Sequence, residues 1–202
     1  MTPVNPLPDE RGRLILLVGP SGSGKDSLLQ AARPVLEEQG VKIVRRTITR
    51  SPESLGEEAF GVSRQTFEHM QAQGDFALHW QANGLCYGIP RQIDDWLAAG
   101  DSVLVNGSRG HLEQARMLYP DLLAICLDVA PAVLRQRLLS RGRELPEEVE
   151  QRLARSAELS GALPRGMRHL DNSGALEGAV NALLAVLEEE GIIGVPRPSR
   201  HA

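Results

Sequence analysis

Seven consecutive residues, Gly19-Pro-Ser-Gly-Ser-Gly24-Lys25, combine types and spacing that can do chemistry. Their order is that of a phosphate-binding loop, with glycine first, a second glycine five places on and a lysine directly after it. Glycines let backbone N–H groups turn inward around phosphate oxygens, and the lysine adds a full charge beside the β- and γ-phosphates. A glycine-rich turn with an accidental lysine is the alternative. The motif, however, also demands a strand before it and a helix after it. Both are in place. Arg13–Val18 is a short apolar run, and Leu28, Leu29, Ala32, Val35 and Leu36 recur at helical spacing. Gly19, Pro20, Ser21, Gly22, Ser23, Gly24, Lys25, Asp26 and Ser27 are therefore expected to bind the phosphates of a nucleotide, with Lys25 also catalytic.

One position departs from the pattern. Where a Ser or Thr would meet Mg²⁺ the chain has Asp26, followed by Ser27. Two roles stay open for Asp26: a first-turn carboxylate stabilised by the helix dipole, or a direct or water-mediated contact to Mg²⁺. Of 22 basic residues only Lys25 and Lys42 are lysines, and one of them falls in the loop.

The elements that must position this loop follow from composition and periodicity. A chain of 202 residues, 42% hydrophobic and 24% charged, has room for one α/β domain with small inserts. Further buried strands are predicted at Val41–Ile48, Ser102–Val105 and Leu122–Asp128, with helices near Arg64–Gln73, Gly110–Leu118, Ala132–Ser140 and Ala175–Glu190. Pro34 is expected to kink or shorten the first helix. Thr49–Arg91 is more polar and is read as an insert without a long strand. Alternating strands and helices imply a parallel sheet covered on both faces. Residues 1–11 read as a flexible leader, 12–190 as the domain and 191–202 as a flexible tail.

Several classes of partner are disfavoured. A net charge of −4 gives no general attraction to nucleic acid or an anionic membrane. No apolar run is long enough to span a bilayer, and the start lacks a secretory signal, so the cytoplasm is the expected address. Cys86 and Cys126 stand far apart without a ligand cluster, which fits two reduced thiols. A small-molecule substrate is the expected partner. A homodimer is left open.

Four segments carry a resemblance: GPSGSGKDSLL, TITRSPESLGE, GDFALHWQANGLCYGIP and LRQRLLSRGRE. Together they resemble the guanylate kinase superfamily over about residues 12–190. Within it the chain looks most like the ribose 1,5-bisphosphate phosphokinase (PhnN) family of phosphonate breakdown. The family's GKDS loop, ALHW, GLxYGIP and VNGSR stand here as Gly24–Ser27, Ala77–Trp80, Gly84–Pro90 and Val105–Arg109. The resemblance implies a three-layer P-loop fold with an acceptor-binding insert over about 49–91 and a lid over about 137–152. It also implies ATP with Mg²⁺ as the phosphoryl donor and ribose 1,5-bisphosphate as acceptor.

By the same resemblance Thr49 and Arg50 would grip the acceptor's phosphate, and Arg137, Arg141 and Arg152 would reach the transferring group from the lid. Arg143 lies just beyond Arg141. A solvated basic helix face is the plainer reading of those arginines. His79, Trp80, Asn83 and Tyr87 could line the acceptor pocket, or Trp80 and His79 could simply pack. Asn106, Ser108 and Arg109 follow a strand, where ligands bind in open α/β sheets, although Asn-Gly-Ser also makes an ordinary turn. Asp128 reads as structural, Arg135 and Arg155 as surface residues. Asn172 reads equally as an adenine contact or a helix-entry turn.

Differences from true guanylate kinases bear on the acceptor. Glu53 stands where a second phosphate-gripping arginine is found, and Leu78 where a glutamate reads guanine. Leucine cannot accept the N–H donors of a base, which disfavours GMP. The rival readings are a guanylate or other nucleoside monophosphate kinase, a non-catalytic guanylate-kinase-like binding module, and a kinase of an unphosphorylated small molecule.

Overall fold

The structure is a computed structural model and describes residues 12–50, 59–142, 145–161 and 166–194. The expectations for the leader, for the tail beyond residue 194, and for Glu53 and Arg143 lie outside the described residues.

Strand β1 (Leu14–Val18) is buried at all five positions, as a central strand covered on two faces must be. It lies in the middle of a five-stranded sheet with β2 (Lys42–Ile43), β7 (Val103–Asn106), β8 (Leu123–Asp128) and β9 (Arg168–Asp171), ordered β2-β7-β1-β8-β9. All four pairings are parallel. Alternate side chains of β1 serve different layers. Ile15 and Leu17 pack with Leu28 and Leu36 of α1 (Lys25–Glu38) and Leu183 and Leu187 of α7 (Leu176–Glu189). Leu14, Leu16 and Val18 pack with Ile93 and Leu97 of α3 (Gln92–Ala98) and with Leu112, which opens α4 (Leu112–Leu118). The result is the helix–sheet–helix sandwich that the pattern implied. No helix among the described residues is long and apolar enough to cross a membrane.

Three expectations need correction. Helix α1 runs on through Pro34 to Glu38, so of the two effects expected of Pro34, a kink or a shortening, the shortening does not occur. The predicted strand Val41–Ile48 is two strands in different sheets. Val44 N still bonds Leu104 O of the main sheet at 3.1 Å, but Arg45 turns outward and β3 (Arg46–Ile48) pairs elsewhere. The segment read as lacking a long strand contains β5 (Phe76–Ala82) and β6 (Leu85–Pro90). These form an antiparallel hairpin closed by Asn83 and Gly84, whose φ values of 50° and 74° are the positive pair that a two-residue turn requires.

With β4 (Ala59–Gly61) the hairpin completes a second sheet, ordered β4-β3-β6-β5. Helix α2 (Arg64–Gln73) ends at Gly74 as expected and packs Phe67 on Phe76, with ring centroids 4.7 Å apart. Helix α5 (Pro131–Ser140) opens on its proline, and the Arg-rich stretch beyond it becomes α6 (Pro146–Gly161). These two helices meet through Leu134, Leu138 and Val149.

Candidate active site

The phosphate loop lies where β1 gives way to α1, at the carboxyl end of the sheet. Gly24 caps the helix with φ at 89°, and a Cβ there would stand 2.7 Å from the Asn172 amide nitrogen. Only glycine fits both demands. Lys25 Nζ donates to the carbonyls of Gly19 at 3.0 Å and Pro20 at 2.9 Å, so the ammonium lies across its own loop. Asn172 follows β9 and is buried. Its Nδ2 donates to Ser23 O at 2.7 Å, and Arg137 Nη1 approaches the same carbonyl at 3.4 Å.

Beside the loop a cleft of about 660 Å³ runs between the main sheet, the β5–β6 hairpin and the α5–α6 pair. The first turn of α1 and the end of β7 face each other in it. Asn106 Nδ2 donates to Asp26 Oδ1 at 2.6 Å, and Arg46 Nη2 lies 3.8 Å from the same oxygen. Arg46 is buried, donates through Nη1 to Asn106 O at 3.2 Å, and lies 5.3 Å from the centre of the Tyr87 ring. Tyr87 stacks on Trp80 at 5.4 Å, and Trp80 on His111 at 5.5 Å. Burial, with the charge of His79, lowers the pKa of His111. The wall is thus an aromatic stack with one embedded guanidinium.

Most residues singled out in the sequence meet in this cleft. Arg50, Tyr87, Asn106, Ser108 and Arg109 share its lining with Gly19, Lys25, Asp26, Arg141 and Arg152. Arg152 Nη1 reaches Ser21 Oγ at 3.4 Å, which joins α6 to the loop. Arg109 donates to Ser156 O at 3.1 Å and to Ser156 Oγ at 3.3 Å, docking α6 on the end of β7. Burial lowers its pKa, opposed by the charges of Cys126 and Asp128.

Other expected residues lie elsewhere. Thr49 accepts from Cys86 N through Oγ1 at 2.8 Å and, with Arg50, borders a second hollow of about 460 Å³ next to α2. His79 is exposed and off the cleft, which β5 lines instead with Trp80, Gln81 and Ala82 at its hairpin end. Leu78 is 1% exposed and packs with Ile89 and Ile93, so it reads no ligand in the cleft. Arg137 touches the loop without lining the cleft. Arg155, taken for a surface residue, lines the cleft and lies 3.5 Å from Asn83 Oδ1 of the hairpin turn. Asp128 pairs with His169 at 2.8 Å.

Arg46 is the main residue that sequence reading missed. It was hidden inside what looked like one continuous strand. The signal available was a charged pair, Arg45-Arg46, in the middle of an apolar run, where a buried strand would not place it.

Cradle, cleft and converging arginines define a P-loop phosphotransferase. A family model described as guanylate kinase matches residues 11–190. The crystal structure of guanylate kinase from Anaplasma phagocytophilum has a TM-score of 0.68 over 92% of this chain and 89% of its own, at 18% identity, which is a likeness of fold. The ribose 1,5-bisphosphate phosphokinase PhnN of Pseudomonas paraeruginosa is 62% identical over 176 residues, covering 87% of this chain and 95% of that protein. The protein of the same name from Pseudomonas fluorescens is also 62% identical, over 181 residues, with coverages of 88% and 95%. The chain belongs to the guanylate kinase family and, within it, to the ribose 1,5-bisphosphate phosphokinase (PhnN) family.

Proposed function

We propose that this chain transfers the γ-phosphoryl group of ATP to ribose 1,5-bisphosphate, giving 5-phosphoribosyl 1-diphosphate and ADP, in the cytoplasm and in the service of phosphonate breakdown. One observation carries the reading beyond the family. A single cleft has an intact phosphate cradle on one wall and Arg46, Arg50 and Tyr87 on another, while Leu78, the position where a base-reading acid would stand, is buried in an apolar cluster away from it. Such walls suit an acceptor rich in phosphate and poor in nucleobase.

The chemistry is positional. A phosphate monoester oxygen is already ionised near neutral pH, so no general base is needed to prepare it. The acceptor's 1-phosphate oxygen forms the new bond to the γ-phosphorus while the bond from that phosphorus to the β-bridging oxygen breaks, and the electron pair leaves with ADP. Lys25, now on the Gly19 and Pro20 carbonyls, is within its own loop's reach of the β- and γ-phosphates. Arg141 and Arg152 face the same space, and Arg137 steadies the loop at Ser23. We read α5 and α6 as the lid, docked by Arg109 on Ser156 and excluding water. Arg50, Tyr87 and Ser108 face the acceptor.

The site fits a divalent cation. Asp26 opens onto the cleft beside the cradle. Mg²⁺ bound there would supply charge neutralisation across the β- and γ-phosphates.

The test is a panel of phosphorylated acceptors with ATP and Mg²⁺, followed by ³¹P NMR. Ribose 1,5-bisphosphate should yield a new diphosphate pair of resonances alongside ADP, and GMP should yield nothing. Conversion of GMP to GDP with the sugar bisphosphate untouched would restore the nucleoside monophosphate kinase reading.

A further inference from the structure

The sequence sets its two cysteines far apart with no ligand spacing around them, but the folded sheet gives one of them neighbours. Cys126 and Asp128 stand two residues apart on β8, so their side chains leave the same face of the sheet. Parallel register then sets His169 of β9 directly beside Cys126. A thiol, a carboxylate and an imidazole thus converge, each offering a ligand atom within 4.8 Å of the other two. We propose that Cys126, Asp128 and His169 form a binding site for a single thiophilic divalent cation such as zinc. None of the three lines the cleft of the kinase chemistry.

Distances and exposure carry the inference. The Cys126 thiol donates to Asp128 Oδ1 at 3.4 Å, and His169 Nδ1 lies 2.8 Å from Asp128 Oδ2. Zinc bonds of about 2.3 Å to sulfur and about 2.0 Å to nitrogen place tetrahedral donors about 3.5 Å apart. Side-chain movement of roughly 1 Å therefore closes the cluster onto one ion. The Asp128 and His169 side chains are 50% and 53% exposed, which leaves both room to make it. Cys126 is buried, so an ion arriving from solvent meets the carboxylate and the imidazole first and the sulfur last. With three protein ligands, a fourth position stays open to water.

The donor types choose the ion. Mg²⁺ demands an octahedron of hard oxygen ligands, whereas two of these three donors are sulfur and nitrogen. Arg109 and Lys25 lie near enough to favour the thiolate of Cys126. The same positive charges oppose an ion held by charge alone and leave one held through its bond to sulfur. The thiol proton departs to solvent as that bond forms. His169 keeps its proton on Nε2 and binds through Nδ1.

The test uses the whole chain, stripped with a chelator, kept reduced by a phosphine and supplied with excess Mg²⁺ to fill oxygen-ligand sites. Co²⁺ is titrated as the optical probe, and Zn²⁺ then competes with it. The parent should bind one Co²⁺ with a thiolate-to-cobalt absorption band in the near ultraviolet, and Zn²⁺ should erase the band. C126S should abolish it, and C86S should match the parent. H169A removes a half-exposed side chain outside the apolar clusters, so it keeps the question open to test even where C126S fails to fold. It should weaken Co²⁺ at least about 10-fold, the lower end of what outer-shell partners alone cost. Circular dichroism melts confirm that each variant is folded. No band in the parent, a band retained in C126S, or H169A binding Co²⁺ like the parent overturns the site.

Discussion

The amide of Asn172 donates to the carbonyl of Ser23 at 2.7 Å, so the chain leaving the sheet's edge strand holds the middle of the phosphate loop. Backbone pairing of Asn172 N with Asp128 O at 2.8 Å fixes the donor in turn. The loop's shape is therefore set partly by residues about 150 positions away in the chain. Replacing Asn172 by Ala leaves Ser23 O with only the longer approach of Arg137. A buried carbonyl so weakened costs about 1–3 kcal/mol, or a melting temperature lower by roughly 2–10 °C in a domain of this size. Calorimetry with and without ADP checks this. An unchanged melt and unchanged ADP affinity would mean that the loop holds itself.

Lys25→Ala should remove catalysis and spare the fold. The ammonium bonds carbonyls and a hydroxyl of its own loop, and Lys25 lines the cleft rather than either apolar cluster of the sheet. Loss of one charge on the transferring phosphates is expected to lower kcat/KM by at least about 10²-fold. ADP release in a coupled assay reads the first effect and the thermal melt the second. Turnover near the parent's would refute the role of the cradle.

Leu78→Glu tests a reading that the structure has corrected. The sequence placed this side chain against the acceptor, whereas it lies in the apolar cluster with Ile89 and Ile93. A carboxylate there meets no described partner of opposite charge in that cluster and should cost at least about 3 kcal/mol. The expected result is a melt lower by several degrees and no phosphorylation of GMP. A variant as stable as the parent that converts GMP would put position 78 back in the cleft.

Alkaline pH should weaken the fold in a defined window. Burial, then the charge and hydrogen bond of Asp128, push the Cys126 thiol from 9.0 up to about 12. Burial and the Asp94 hydrogen bond at 2.6 Å likewise push the Tyr119 hydroxyl up. Both groups hold protons more tightly folded than unfolded. Their contribution is whole below about pH 9, where the unfolded thiol begins to titrate, and is lost as pH climbs toward 12. Urea midpoints from pH 8 to 11 should fall steadily, and a Cys126→Ala variant should fall less. A midpoint flat to pH 11 in the parent would contradict the burial of these groups.

The sequence by itself determined the phosphate cradle and the frame around it, because both are local. Glycines at fixed offsets, an apolar run before them and a 3.6-residue period after them are properties of adjacent residues. Each biases the backbone without help from the rest of the chain. The α2 boundary at Gly74 was legible for the same reason, and the β5–β6 hairpin could have been, since Asn83-Gly84 is a local turn signal. Only the tertiary structure decided the walls of the cleft. Whether Leu78, His79 or Trp80 faces the acceptor depends on the register of β5 on β6 and on a bulge between Phe76 and Leu78. One residue of shift exchanges the two faces of a strand. Arg46 meets Asp26, and Asn172 meets Ser23, across 20 and 149 positions, through strands whose order no periodicity encodes. Those contacts exist because the parallel sheet brings several strand ends to one edge, where the free energy of closing long loops is repaid only by the packed whole.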